Sequence, residues 1–124
     1  MDKILLSGFG GFIGSALRYW ISLMAYRVFG QDFPYGTLVV NVLGCLLIGF
    51  VMTVFEERFV FSANVRIFLT IGILGGFTTF SSFSYETIGL IREGSYLLGT
   101  ANVLLNVLLC LVATAVGTVI GKFV

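Results

Sequence analysis

Four long runs of apolar residues constrain the fold of this chain more than any other feature. They cover roughly residues 4–29, 36–55, 65–90 and 97–119. A helix that crosses a bilayer needs about 20 mostly apolar residues, so each run is long enough to span a membrane. Only 10% of the residues are charged, whereas soluble domains usually carry about a quarter. The sequence therefore predicts an all-α protein with four transmembrane helices, multi-pass in the cell (inner or plasma) membrane.

The connections between the four runs are short, and no linker or second domain fits between them. We therefore expect residues 1–124 to form a single transmembrane domain. The chain starts with Asp2 and Lys3 and continues directly into apolar sequence, without the features of a cleaved signal peptide. The first run is accordingly expected to remain as the first span.

The third run differs from the others because glycine and hydroxyl residues interrupt it near its middle. Three glycines are followed closely by five hydroxyl residues, namely Gly72, Gly75, Gly76, Thr78, Thr79, Ser81, Ser82 and Ser84. Irregular backbone at membrane depth is tolerated only where protein or a water-filled cavity satisfies the freed N–H and C=O groups. We therefore predict a third helix that is broken near the membrane centre.

Glycines elsewhere in the chain recur at spacings that suit close helix packing. Gly10 with Gly14 and Gly44 with Gly49 are two such pairs. Small residues at these spacings allow the backbones of neighbouring helices to approach closely. We interpret most of the 16 glycines as packing residues.

Positive charges divide almost evenly between the two sides of the membrane. With four spans, one side carries Lys3, Arg58, Arg66 and Lys122, and the other carries Arg27 and Arg92, with Arg18 nearer to this second group. An excess of Lys and Arg normally marks the cytoplasmic side. Without such an excess, we expect the chain to insert in both orientations, which would allow the two forms to pair antiparallel.

The residue types argue against an enzyme and against a nucleic-acid partner. The sequence contains no histidine, so no Ser/His/Asp or Cys/His arrangement is possible, and its net charge is only +1. Cys45 and Cys110 lie within apolar runs and lack the paired spacing of a zinc site, so we interpret them as small buried residues.

Polar side chains inside the spans are the remaining candidates for function. Asn41, Asn102, Asn106 and the hydroxyl residues of the third run would form a polar stripe, and Asn106, Cys110 and Thr114 share one helical face. Such residues can donate hydrogen bonds to an anion, or simply bond neighbouring helices. Phe80 and Phe83 also share a face, and their rings would offer positive edges to an anion or pack in the core.

Three motifs resemble the CrcB-type fluoride channel (Fluc) family. They are residues 14–19 (GSALRY), 35–41 (YGTLVVN) and 72–84 (GILGGFTTFSSFS), in the order and at the span positions that the family has. Ser82 stands where family members often have threonine, a change that keeps the hydroxyl.

The resemblance implies a dual-topology homodimer of antiparallel subunits with two fluoride pathways along the subunit interface. Asn41 would donate a hydrogen bond to fluoride, Phe80 and Phe83 would offer ring edges, and the pathway would also include Ser81, Ser82, Ser84, Asn106 and Thr114. The backbone carbonyls of Gly75 and Thr78 from both subunits would hold a structural sodium ion. Arg18 would face the aqueous vestibule or pair with Glu86.

The implied activity is passive export of fluoride from the cytoplasm, which lowers fluoride toxicity. A small multidrug exporter has the same size and dual topology, but it needs an intramembrane carboxylate, normally in its first helix, where this chain carries Arg18. A scaffold subunit without transport activity would leave the hydroxyl residues of the third run without a purpose in lipid, where polar groups are costly.

Overall fold

A computed structural model describes residues 1–59 and 61–124, and all regular structure in these residues is helical. Helix α1 is Asp2–Phe29, and α2 is Tyr35–Arg58. The third span, Ala63–Arg92, consists of α3 (Ala63–Arg66), a π-helical segment (Ile67–Leu74), α4 (Gly75–Phe77) and α5 (Phe80–Arg92). Helix α6 is Tyr96–Lys122. Among the described residues, four helices are long and apolar enough to cross a membrane, which confirms the predicted all-α class with four spans.

The helices extend a few residues beyond the ends of the apolar runs. Helix α2 continues through the charged residues Glu56, Glu57 and Arg58, and α6 continues to Lys122. An apolar run marks the part of a helix that suits hydrocarbon, whereas the backbone stays helical until a turn diverts it. Gly30 provides such a turn after α1, with a φ of 94° that glycine adopts without strain.

Helix α1 packs against the third span through glycines on both sides. A Cβ atom added to Gly10 would lie 2.6 Å from the carbonyl oxygen of Phe68 and 2.9 Å from the Cα of Gly72. One turn further along, a Cβ at Gly14 would lie 2.9 Å from the backbone nitrogen of Phe77. These atoms belong to backbone and cannot move aside, so the predicted packing role of Gly10 and Gly14 is confirmed.

Helices α2 and α6 run parallel and form the most extensive helix contact in the described part of the chain. Gly49 of α2 lies against the backbone of Thr114, and Gly117 of α6 lies against the backbone of Phe50. A Cβ atom added to Gly117 would lie 2.9 Å from the backbone nitrogen of Phe50. Because glycine lacks a side chain at these positions, the two backbones meet directly. This contact fixes the axial register of α2 against α6.

The outer surface of the bundle is apolar. Only 11% to 33% of the most apolar window of each span is buried within the chain. Large side chains such as Phe12, Leu104 and Leu111 are exposed. In a membrane, lipid or another protein surface covers such side chains, so the fold is that of a multi-pass membrane protein.

Substitution of Gly10 by alanine should destabilise the fold far more than substitution of Gly8. A Cβ at Gly10 would collide with backbone, whereas a Cβ at Gly8 would meet nothing within 4 Å, and both glycines lie in α1. Overpacking typically costs about 1–3 kcal/mol, so we expect Gly10→Ala to lower the thermal unfolding midpoint in detergent and Gly8→Ala to leave it near the parent value. Equal midpoints for the two variants would contradict the packing of α1 on the third span.

Candidate functional site

The third span loses its helical backbone at two residues. Thr78 has a ψ of 157°, and Thr79 has a φ of −151° and a ψ of 117°, so both are extended. Helix α4 ends before them, and α5 begins immediately after them at Phe80. The Oγ1 of Thr79 accepts a hydrogen bond of 3.1 Å from the backbone N–H of Ser82. Thr79 therefore acts as the N-cap of α5, a role that threonine fills well.

Asn41 of α2 replaces the hydrogen bonds that Thr79 loses by leaving the helix. Its Oδ1 accepts from the backbone N–H of Thr79 at 2.9 Å, and its Nδ2 donates to the carbonyl oxygen of Thr79 at 3.1 Å. The same Nδ2 donates to the Oδ1 of Asn106 at 3.2 Å. An asparagine amide has two N–H donors, so both are engaged within the single chain. Asn41 thus pairs with both polar backbone groups of one extended residue.

These contacts leave two backbone carbonyls without their usual helical donors. In an α-helix, the N–H of residue i+4 donates to the carbonyl of residue i. The N–H of Thr79 donates to Asn41 instead of Gly75, and the N–H of Ser82 donates to Thr79 Oγ1 instead of Thr78. The carbonyl oxygens of Gly75 and Thr78 are the two that the family resemblance of the sequence implies as ligands of a sodium ion.

A groove of about 520 Å³ opens along the outside of the chain at this point. Helices α2 and α6 and the third span line it together. Its lining includes Asn41, Cys45, Gly75, Thr78, Thr79, Phe80, Phe83, Asn106 and Cys110. We call this feature the central groove. Six of the predicted site residues, namely Asn41, Gly75, Thr78, Phe80, Phe83 and Asn106, therefore lie around one space.

The two phenylalanines of the groove have different environments. Phe80 is 78% exposed, whereas Phe83 is only 8% exposed. Their ring centroids are 5.3 Å apart, and the rings meet edge to face with an interplanar angle of 61°. Phe83 is thus packed in the core and also lines the groove, while Phe80 extends away from the chain.

None of the four hydroxyl residues predicted for the pathway, namely Ser81, Ser82, Ser84 and Thr114, lies on the lining of the central groove. Ser81 and Ser82 have their hydroxyls 3.3 Å and 3.2 Å from the Oγ1 of Thr79, so they surround the N-cap. Ser84 is exposed on α5. Thr114 lies two turns beyond Asn106 on α6, where its backbone contacts Gly49.

Asn102 and Asn106 belong to a chain of hydrogen bonds between α5 and α6. The Nδ2 of Asn106 donates to the Oδ1 of Asn102 at 3.0 Å, and the Nδ2 of Asn102 donates to the Oγ1 of Thr87 at 2.9 Å. Thr87 in turn donates to the carbonyl of Phe83 at 2.7 Å. All three polar residues are buried. For Asn102, the interpretation as a bond between helices is the one that the structure supports.

Arg18 and Glu86 do not bond to each other, because each has a different hydrogen-bond partner. The Nη1 of Arg18 donates to the carbonyl oxygen of Thr78 at 3.5 Å. Glu86 accepts a 2.6 Å hydrogen bond from the hydroxyl of Thr37, and its other oxygen is buried without a partner among the described residues. Within one chain, the alternative that pairs Arg18 with Glu86 is therefore not found.

Two features of the site were missed or misread in the sequence. Thr79 holds the junction between α4 and α5 through both its backbone and its side chain. Threonine is a preferred N-cap residue, so its place directly after the glycine-rich break could have identified it. Cys45 and Cys110 were interpreted as buried, but both are partly exposed on the central groove. Whether a residue lines this groove depends on the axial register of α2 against α6, and an apolar sequence does not specify that register.

Known proteins are similar to this chain over all or nearly all of its length. Residues 5–118 match the family model described as "CrcB-like protein, Camphor Resistance (CrcB)". A protein of Clostridium novyi named "Fluoride-specific ion channel FluC" is 48% identical over 127 residues, covering 100% of this chain and 99% of that protein. Proteins of the same name from Clostridium perfringens and Geotalea uraniireducens are 47% and 44% identical, each covering 98% of both chains. The chain belongs to the CrcB-like family.

Proposed function

We propose that this protein is a fluoride-selective ion channel that carries fluoride passively out of the cytoplasm and so lowers fluoride toxicity. Its family supports this function, because the relatives that match it over their full length are named fluoride-specific ion channels, a class that performs no catalysis. The observation that carries the proposal is the junction of Thr78 and Thr79 on the central groove, where hydroxyls, amides and a helix N-terminus meet.

The start of α5 favours an anion in the groove. The N-terminus of a helix carries a partial positive charge, from N–H groups without intrahelical partners. Helix α5 begins at Phe80, which lines the groove, and the residues that line it in the described part of the chain include no carboxylate. The positive edge of the Phe80 ring adds to this environment without a formal charge. Such a site attracts a small anion and lacks the acidic groups that cation pathways use.

Asn41 would act on fluoride through an exchange of hydrogen bonds. Both of its N–H donors are engaged in the single chain, one with Thr79 and one with Asn106. The bond to Thr79 belongs to the two-point contact that holds the junction, so the bond to Asn106 is the one available for exchange. Fluoride in the groove would take the place of the Asn106 oxygen while Thr79 stays in position.

A second copy of the chain, antiparallel to the first, would complete the pathway. Phe80 is 78% exposed, and Ser81 and Ser84 are exposed beside it on α5. Hydroxyls that face hydrocarbon are costly, so this face favours a protein partner over lipid. The nearly even division of Lys and Arg between the two sides supports insertion in both orientations. Two such copies would carry two pathways along their interface, with the junction near the membrane centre.

A structural sodium ion would lie where the two copies meet. The carbonyls of Gly75 and Thr78 lack their helical donors, and the C-terminal end of α4 carries a partial negative charge. Both residues line the groove, and Gly75 is exposed. Two oxygens from each chain would give four ligands around a two-fold axis. The contact of Arg18 with Thr78 occupies one lone pair of that carbonyl and leaves the second for the ion.

The direction of transport follows from the charge of the ion. Hydrogen fluoride crosses membranes as a neutral acid and dissociates in the cytoplasm. A negative-inside potential then drives the anion outward by about 2.3 kcal/mol per 100 mV. A passive pathway is therefore sufficient for export.

Replacing Phe80 by isoleucine should abolish most fluoride flux from loaded liposomes. The change keeps much of the apolar volume, so its stability cost should stay below about 1.5 kcal/mol, but it removes the ring edge. Phe12→Ile is the matched control, because Phe12 has a similar exposure of 72% on α1 and lies away from the groove. A monodisperse Phe80→Ile protein that releases fluoride at the parent rate would exclude this ring from the pathway.

A tag at the C-terminus should be accessible from both sides of the membrane. Two populations are expected in intact cells, because the positive charges are almost balanced. Two lysines added after Lys122 should shift the chain to one orientation and impair fluoride release, and a copy biased the other way should restore it. Two added serines provide the neutral control. A tag that is labelled from one side only would refute dual topology.

Removal of sodium should weaken the proposed dimer and its flux. When a larger monovalent cation replaces sodium during purification, we expect the proposed dimer to dissociate more readily and the protein to lose transport. Size-exclusion chromatography measures the first effect, and fluoride release measures the second. Thr78→Ser should keep the response to sodium, because the proposed ligand is a backbone carbonyl. Gly75→Ala, whose Cβ would have only an ordinary contact of 3.6 Å in one chain, should fold and yet disturb the response. Equal flux in every monovalent cation would rule out the site.

A further inference from the structure

Helices α2 and α6 carry matching residues at three successive turns of their parallel contact. Asn41 bonds to Asn106 at 3.2 Å, with a separation of 65 residues along the chain. Two turns further, Gly49 contacts Thr114 with the same separation. Cys45 and Cys110 occupy the turn between them, again with this separation. The register therefore places the two cysteines opposite one another.

The two thiols occupy facing positions of the α2–α6 contact and are accessible from the groove. Both are free, both are partly exposed, and both line the central groove. Each is one helical turn, about 5.4 Å, from an asparagine of the Asn41–Asn106 pair.

The ligands available here select a particular class of metal ion. Zinc sites in proteins almost always use four ligands in a tetrahedral arrangement. No group of three or more His, Cys, Asp or Glu residues that could hold a metal occurs in residues 1–59 and 61–124. Sulfur ligands favour soft metal ions. A soft ion that is satisfied by two sulfurs in a linear arrangement, such as Hg²⁺ or Ag⁺, fits a pair of facing thiols in apolar surroundings.

We propose that Cys45 and Cys110 form a two-thiol site that binds one soft, two-coordinate metal ion and thereby blocks the central groove. With mercuric chloride, two S–H bonds and two Hg–Cl bonds break, two S–Hg bonds form, and two protons leave with two chloride ions. No electron is transferred. Mercuric chloride is neutral, so it can reach the site through the membrane or the groove. The blocking effect rests on the proposed function, whereas the binding does not.

Binding is tested on the purified full chain by intact mass spectrometry after treatment with mercuric chloride and a wash with a monothiol. The parent should retain one mercury and no chloride per chain, because two sulfurs hold the ion together. Cys45→Ser and Cys110→Ser should each lose the mercury in the wash. Methylmercury, which can bond to only one sulfur, should also be removed from the parent. Two retained mercury ions per chain, retention by either single variant, or mercury that links two chains would overturn the proposal.

The effect on the groove is measured as fluoride release from liposomes with and without mercuric chloride, compared within each variant. The parent should lose its flux on treatment and regain it with a dithiol. For Cys45→Ser and Cys110→Ser, the ratio of treated to untreated flux should stay near one. If the parent retains one mercury and its fluoride flux is unchanged, the proposed block of the central groove is wrong. A parent without any fluoride flux would refute the proposed channel activity and leave the metal binding to be decided by mass alone.

Discussion

The hydrogen bonds between Asn41 and the backbone of Thr79 are the interactions on which the rest of this site depends. Water cannot satisfy backbone groups inside a bilayer, so a chain that leaves the helix there needs internal partners. Asn41 provides both a donor and an acceptor to a single residue, at 3.1 Å and 2.9 Å. A buried polar group without a partner costs several kcal/mol, on the order of 2–7 kcal/mol in apolar surroundings. The extended conformation of Thr79 is stable because this one side chain removes that cost twice.

The consequence of this contact is that two opposite helix ends lie next to each other. The end of the first helical part presents freed carbonyls at Gly75 of α4 and at Thr78, which directly follows α4, and α5 presents its first N–H groups at Phe80. The first end favours a cation and the second favours an anion. Neither requires a charged side chain, so a span with few acids and bases can still present both environments.

The sequence predicted the parts of this structure that depend on local pattern. Apolar runs indicated the four spans, and glycine spacing indicated the contacts of Gly10 and Gly14. The partners of Asn41 were not predictable in this way, because Thr79 lies 38 residues away and Asn106 lies 65 residues away. Asn41 was expected to donate to an ion, and the structure adds its bonds to Thr79. Likewise, only the register of α2 against α6 determines that Cys45 and Cys110 lie on the groove.

The adjacent helix ends also limit the distance over which their partial charges act on an ion. At a distance, α4 and α5 act as two helices that follow one another in the same direction, so the opposite partial charges of their adjacent ends largely cancel. The field of a helix end falls off within its first or last turn. That range is shorter than the Debye length of about 10 Å at 0.1 M salt. In the proposed channel, the part of ion discrimination that comes from these helix ends would therefore act at contact, and changes in ionic strength should leave that part largely unaltered even where they change how often ions arrive.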